Sequence, residues 1–447
     1  MKNNDTNKME TMDMRKLAIN MSLPMIISMI ALALYNIVDG IFVSKISQDA
    51  LTAISLVAPV QSMMIAITLG TGVGINSLIS RKLGEKKYDD VKKVLGNGIS
   101  LIMLSWVIVA LLGAFFCKWF MELFTDELLI IELGQKYLSI CMMFSLGMFL
   151  QIAFEKIMES LGKTTASMII QFSGAVINLI LDPILIFGWG NIPALGVVGA
   201  AIATVTGQFT GMIIGIVYLK KEELKLKLEH FKLNKAIVRQ IYQVGFPTII
   251  LESVSAFVTL ILNKILVLFS DVAVPIWGIY NKVQSFLFMI VYGLNNGMIP
   301  IIGYNYGAKN KIRIKEALKV FIVLSELVMF SGMVIFLIFS NNILLLFNAS
   351  EEMLKVGNVA LRTLSLGFIF AGISIILSGI FQAIGKGNYS LIVFILRQLS
   401  INLPLLYFIG KYININLMWS AFVLSELLAM IVSVIFIKKV KKQIYIG

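Results

Sequence analysis

Long unbroken apolar runs alternate with short polar stretches from one end of the chain to the other. Twelve of them lie near residues 17–44, 51–80, 94–117, 133–160, 166–188, 195–219, 242–269, 276–303, 317–340, 354–382, 388–410 and 416–437. Each is long enough to cross a bilayer as a helix, which takes about 20 apolar residues. The runs are helical in period or apolar throughout, without the strict alternation of a membrane-barrel strand. The pattern predicts an all-α integral membrane protein with twelve transmembrane helices.

Composition agrees. The chain of 447 residues is 58% hydrophobic and only 14% charged, where a soluble domain carries about 25% charged residues. Mean hydropathy is +0.89. The net charge of +13 resides in short connections rather than in a basic face, so it reads as membrane topology and not as a nucleic-acid footprint. The connections 81–93, 220–239 and 309–319 and both termini are rich in Lys and Arg, whereas the alternate connections are poor in them. That asymmetry puts both termini and the basic loops in the cytoplasm. Trp119, Trp189, Trp277 and Trp419 then fall at outer helix ends, where tryptophan anchors a helix at the interface. Residues 1–13 lack the apolar core of a signal peptide and read as a disordered cytoplasmic tail.

The chain also repeats itself. At an offset of 223 residues Pro24 maps to Pro247, Gly70 and Gly74 to Gly293 and Gly297, Gly84 to Gly307, and Gly162 to Gly385. Each unit has six spans, an even number. The two halves therefore enter the membrane with the same polarity and should be related by a pseudo-twofold axis along the membrane normal. The expected organisation is a tail (1–13), an N-terminal six-helix lobe (14–219), a cytoplasmic linker (220–241), a C-terminal six-helix lobe (242–437) and a basic tail (438–447).

Enzymatic chemistry has little to build on. The sequence has one histidine, His230, and two cysteines, Cys117 and Cys141. No Walker A pattern is present, so ATP does not drive this chain directly. Polar residues inside the spans carry what chemistry there is, because an ionisable group in hydrocarbon is retained for a partner, a water cavity or a function. Asp39 and Asp182 sit at similar depth in spans 1 and 5. Asn178 lies one helical turn before Asp182, and Thr204 enters the same level from span 6. Two carboxylates with amide and hydroxyl oxygens suit a hard monovalent cation such as Na⁺. The same two carboxylates, held close, equally make a proton acceptor.

Tyr35, one turn before Asp39, is a candidate cavity-lining aromatic, and Glu252 in span 7 a candidate carboxylate for cationic substrates. Pro24 and Pro183 are candidate hinges, since each removes a backbone donor from its helix. Glu426 is expected to pair with Arg397, and Glu155 and Glu159 to be solvated or gate-forming at the cytoplasmic end of span 4. Apart from a coupling Na⁺ at Asp39, Asn178, Asp182 and Thr204, no metal site and no cofactor is expected.

Three stretches carry a family resemblance. They are Tyr35-Asn-Ile-Val-Asp39, then Asn178-Leu-Ile-Leu-Asp-Pro-Ile184 with Leu195-Gly-Val-Val-Gly-Ala-Ala-Ile-Ala-Thr204, and Gly297-Met-Ile-Pro-Ile-Ile-Gly-Tyr-Asn-Tyr-Gly-Ala308. Over about residues 15–440 the chain resembles the multidrug and toxic compound extrusion (MATE) family, within the larger group that includes lipid and polysaccharide flippases. The absence of an acidic residue from span 10 points to its DinF-like branch. The resemblance implies two six-helix bundles and a cation-coupled (H⁺ or Na⁺) antiporter that exports cationic amphipathic compounds by alternating access. It also maps the family's cation site onto Asp39, Asn178, Asp182 and Thr204. The expectation is therefore a monomeric, multi-pass transporter of the plasma (inner) membrane that handles small organic cations and is not an enzyme. The alternative is a lipid or lipid-linked oligosaccharide flippase, with Arg397 and Lys264 as the basic groups for a phosphate headgroup.

Overall fold

The computed structural model describes residues 7–222 and 224–446, and among them the chain is helical apart from one isolated bridge between Trp189 and Ile192. The N-lobe comprises α1 (Lys8–Thr11), α2 (Met14–Ser44), α3 (Gln48–Gly84), α4 (Tyr88–Phe115), α5 (Cys117–Glu122), α6 (Leu128–Met143), α7 (Leu146–Ser160), α8 (Thr164–Phe187) and α9 (Val197–Lys221). The C-lobe comprises α10 (Lys235–Val267), α11 (Ala273–Gly307), α12 (Lys311–Leu346), α13 (Glu351–Ser365), α14 (Phe368–Ala383), α15 (Gly387–Ile395), α16 (Asn402–Tyr412) and α17 (Ser420–Ile446). Ten spans are long, apolar helices, with α15 and α16 counting as one. The other two are the bent pairs α6–α7 and α13–α14, broken by 48° and 43°. Twelve crossings result.

The repeat extends to the irregularities. The bend at 143–146 recurs at 365–368, and the interruption at Phe116 recurs as the kink at Phe339, where φ is −104° and ψ 17°. Such breaks free backbone groups in a medium that cannot solvate them, so their recurrence in both halves marks them as part of the design of the unit.

Helices α2 and α8 run unbroken through Pro24 and Pro183. Proline cannot donate to the carbonyl one turn back. At Pro24 that carbonyl, on Asn20, faces the Thr164 hydroxyl at 3.4 Å instead.

Among the described residues, the close approaches between the lobes lie along the half of the bundle that carries the basic loops. There α3 packs on α10, through Gly70 against Gly245 and Ile249, and α2 packs on α11, through Gly293 against Ile26. Ser77 of α3 donates to the Gln382 carbonyl at 2.6 Å. One apolar core runs through the N-lobe and crosses here into the C-lobe, from Met21 and Ile79 to Ile301 and Phe381, while the far half of the C-lobe has a separate core around Phe336 and Phe368. On the far side, exposed residues such as Leu34, Ile37, Phe257 and Leu260 stand on α2 and α10. The bundle is thus closed at the basic end and cleft at the other.

Three expectations need correction. Within the described part of the N-terminal tail, residues 8–11 are helical and Met9 is fully buried, because α1 wedges under both lobes; residues 1–6 lie outside the described residues. The linker is shorter than 220–241, since α10 begins at Lys235. It is strapped to α4, with Asn97 donating to the carbonyls of His230 and Lys232 at 3.1 Å and accepting from the Asn234 amide at 2.6 Å. Trp119 and Trp189 are exposed at the rim, but Trp419 is fully buried in the C-lobe core and Trp277 lines an internal cavity.

Candidate functional site

A cavity of about 320 Å³ opens inside the N-lobe between α2, α3, α6, α7, α8 and α9. Three of the candidate coupling residues, Asp39, Asn178 and Thr204, line it together with Tyr35. The fourth, Asp182, is fully buried beside them. The Asn178 amide donates to the Thr204 hydroxyl at 3.3 Å, and Tyr35 lines the cavity with them. The carboxyl groups of Asp39 and Asp182 lie within hydrogen-bonding reach of each other. No donor among the described residues reaches either Asp182 oxygen or the Asn178 carbonyl oxygen. Two ionised carboxylates in contact repel, so the pair calls for a shared proton or a small cation between its oxygens. The free amide oxygen beside them is a further hard ligand.

Local sequence explains the convergence. Asn178 and Asp182 are four residues apart on one face of α8, and Tyr35 and Asp39 are related in the same way on α2. Small residues of α9 let the backbones of α8 and α9 approach, as Gly207 does against Gly174 and Asn178.

The cavity extends further toward the basic end than sequence reasoning placed it. Its floor is Glu155 of α7, with Gln151, Gln171 and Gln208 along the wall. Gln151 donates to Glu155 at 3.0 Å and fills the space left by Gly211, where a side chain would collide with it. Contrary to the solvated placement expected, Glu155 and Glu159 are both buried. They differ in partners. Glu159 is neutralised by Lys156 at 2.9 Å and accepts from Asn76 and Ser167. Glu155 forms no ion pair with a described residue. The signal for these positions was present as polar residues four apart on apolar helices: Gln151 with Glu155, and Thr204 with Gln208.

Glu252 is not part of this cavity. It is exposed on α10, three residues beyond the Ile249 contact with α3, at the floor of the interlobe cleft. Arg397 and Glu426 pair as expected, at 2.6 Å, inside a second cavity in the C-lobe. Lys264 lines neither cavity.

Comparison with known proteins agrees with this architecture. A chain that this one resembles over 93% of its length, at 28% identity and with 91% of the relative covered, is the multidrug export protein MepA of Staphylococcus haemolyticus (strain JCSC1435). The MepA of Staphylococcus aureus (strain MSSA476) is 27% identical, with 93% of this chain and 92% of that one covered. Among solved structures, an outward-facing multidrug resistance MATE family transporter of the MOP superfamily superposes with a TM-score of 0.90 at 23% identity, each chain being covered completely. A MOP superfamily transporter from Pyrococcus furiosus, described as having a binding pocket of reversed polarity, gives a TM-score of 0.89 at 23% identity over 99% of both chains. Residues 24–184 and 247–408 match the MatE family, one stretch in each lobe, and the chain belongs to that family of membrane transporters.

Proposed function

We propose that this chain is a cation-coupled antiporter that exports cationic amphipathic compounds by alternating access. The observation that carries the reading is the contact between the Asp39 and Asp182 carboxyls at the wall of a closed-ended cavity, beside the unpartnered oxygen of Asn178. The multidrug export names of the relatives support the same class of substrate.

In this reading the cleft faces outward and the basic end is cytoplasmic, with the protein a monomer in the plasma membrane. The coupling ion enters from the cleft and binds between Asp39 and Asp182, with the Thr204 hydroxyl orienting the Asn178 amide so that its free oxygen is available to the ion. Direct carboxyl–carboxyl contact favours a proton over Na⁺, because a shared proton needs no wider ligand shell. Neutralising the pair removes the repulsion between α2 and α8. Only a ligand that binds the two global states unequally can drive the exchange. The bending of α2 and α8 is assigned to Pro24 and Pro183, where the helical hydrogen bond is missing.

The exported cation binds lower in the same cavity, on Glu155. That carboxylate is buried and lacks an ion-pair partner, a costly arrangement that a bound cation relieves. Glu252 at the cleft floor attracts cations on their way between the lobes. Lipid flipping calls for a cavity of net positive charge, and Arg397 is charge-balanced by Glu426 while Lys264 lies outside both cavities.

The test is efflux of a fluorescent organic cation from proteoliposomes under separately imposed pH and Na⁺ gradients. Efflux should follow the pH gradient and disappear in Asp39→Asn and Asp182→Asn with folding intact. Gradient-driven efflux of wild-type rate in both variants would end the coupling role. Efflux that follows Na⁺ alone would replace the proton with the metal ion.

A further inference from the structure

The C-lobe holds a cavity of about 390 Å³ that neither the coupling pair nor Glu155 touches, within the size range of small-molecule pockets. An aromatic slab forms one side, with Trp277 stacked on Phe422 at 4.7 Å between ring centroids and 29° between planes. Tyr280 lies parallel to Phe368 within 28°. The ion pair of Arg397 with Glu426 lines the same cavity, with Glu426 one helical turn beyond Phe422 on α17.

The backbone presents this pair in an unusual way. Leu396–Ser400 is a π turn, closed by the Ile401 amide on the Leu396 carbonyl at 3.1 Å. Pro404 has no N–H for the Ser400 carbonyl, which lets the wider turn form. The extra residue in the turn puts both Arg397 and Gln398 on the cavity wall. π turns inside α-helical spans recur at functional sites.

Hydrogen-bonding capacity is left over in the same place. Glu426 Oε2, Gln284 Oε1, Asn402 Oδ1 and Trp277 Nε1 are all buried without a partner among the described residues, and all four residues line the cavity. Asn402 is only 1% exposed. Buried polar groups are ordinarily satisfied, so four orphans converging on one cavity call for an occupant. Its charge follows from the wall. Arg397 and Glu426 sum to zero, so a net cation or anion would leave one charge uncompensated after desolvation. A zwitterion matches both groups. Its ammonium meets the free Glu426 oxygen, and its carboxylate meets the guanidinium N–H groups that Glu426 leaves unused.

We propose that this cavity is a second organic-ligand site, which binds planar aromatic zwitterions against the Trp277–Phe422 stack and the Arg397–Glu426 pair. It differs in polarity from the N-lobe cavity, whose ionisable groups are acidic, and it lies beyond the coupling reading. The two lobes then sort ligands by charge.

Rhodamine 110, a planar zwitterion, and rhodamine 123, its cationic methyl ester, differ only in the ester and serve as probes. Binding to the purified full chain in detergent is read by fluorescence polarisation at neutral pH. Thr259→Phe narrows the cavity from an exposed position on α10. The double variant Arg397→Gln with Glu426→Gln removes both charges without stranding either. Rhodamine 110 affinity should fall by about tenfold or more in each, the loss of a charge-assisted hydrogen bond, while rhodamine 123 affinity stays at its wild-type value. Absence of rhodamine 110 binding to the unmodified chain, or wild-type affinity in both variants, overturns the site. Loss with Thr259→Phe but not with the double variant overturns the zwitterion assignment. No gradient or membrane enters the measurement, so a failure of coupled export and a failure of this site are read separately.

Discussion

Gly84 and Gly307 occupy equivalent positions 223 residues apart, and each is pressed against the backbone of the other's helix. Gly84 meets the Tyr304 carbonyl and Gly307 meets the Arg81 carbonyl, and Arg81 and Tyr304 are themselves equivalent. The contact is pseudo-symmetric and lies at the closed end of the bundle. Neither position has space for a methyl group, and backbone rather than a flexible side chain stands in the way. Gly84→Ala and Gly307→Ala should therefore each destabilise the closed end by about 1–3 kcal/mol, the range for overpacking. Their effects should be similar, because their surroundings are. Thermal unfolding in detergent measures the loss, and cross-linking of cysteines placed at Ser77 and Gln382 measures the opening. Unchanged melting with unchanged cross-linking in both variants would show that the contact has slack.

Glu155 separates binding from stability. Its carboxylate is buried and accepts one hydrogen bond, from Gln151. Glutamine has nearly the same shape and does not strand a charge. Glu155→Gln should keep or raise the melting temperature, since the cost of an unpaired buried charge is removed. The KM for a cationic substrate should rise by about tenfold or more, as expected when a charged hydrogen-bond partner is lost. A matched decline in stability and transport would make Glu155 a structural residue instead.

The neighbouring ion pair should behave in the opposite sense. Lys156 and Glu159 are 7% and 4% exposed, and Glu159 has its remaining capacity filled by Asn76 and Ser167. Lys156→Met leaves that carboxylate buried without its counter-charge and should cost about 3–5 kcal/mol. Adding Glu159→Gln to Lys156→Met should recover most of the loss. Urea or thermal unfolding of the single and double variants gives the comparison, and an additive double variant would contradict the pairing.

Much of this molecule was legible in its residues. Apolar run length fixed the twelve crossings, because a bilayer imposes one length on every helix. Spaced glycines and prolines exposed the repeat, since each serves a backbone contact or break that recurs in both halves. That Asp39, Asn178, Asp182 and Thr204 come together was legible because four-residue spacing puts Asn178 above Asp182 and Tyr35 above Asp39. What escaped depended on which neighbour a side chain meets. Glu155 and Glu159 are one turn apart on α7, yet one faces a cavity and the other an ion pair. Trp419 reads as an interfacial anchor by position, and packing turned it inward. The wedge at α1 was hidden because its sequence is polar, and only Met9 is driven inward.

That wedge makes a prediction about acid. Helix α1 touches both lobes: Lys8 donates to Asn20 and Lys86 pairs with Glu10 on the N-lobe side, while Tyr304, Asn305 and Arg313 donate to Glu10, the Met9 carbonyl and the Met12 carbonyl on the other. The Tyr304 hydroxyl, at 2.8 Å, is the largest influence and, with Lys86 and Arg313, holds the Glu10 carboxyl below its ordinary value of 4.5 against desolvation in the other direction. A carboxyl whose folded value is depressed stabilises the contact above the ordinary value and loses that contribution as pH falls through the folded one. The protection factors of the amides over residues 8–12, which are exchange rates corrected for the intrinsic slowing in acid, should therefore fall on acidification through that window. Glu10→Gln should show lower protection at neutral pH and lose the acid dependence of that protection, while Tyr304→Phe should move the transition upward, toward the ordinary carboxylate value. Exchange in this segment that follows pH identically in the unmodified chain and Glu10→Gln would assign the acid response to other groups at the closed end.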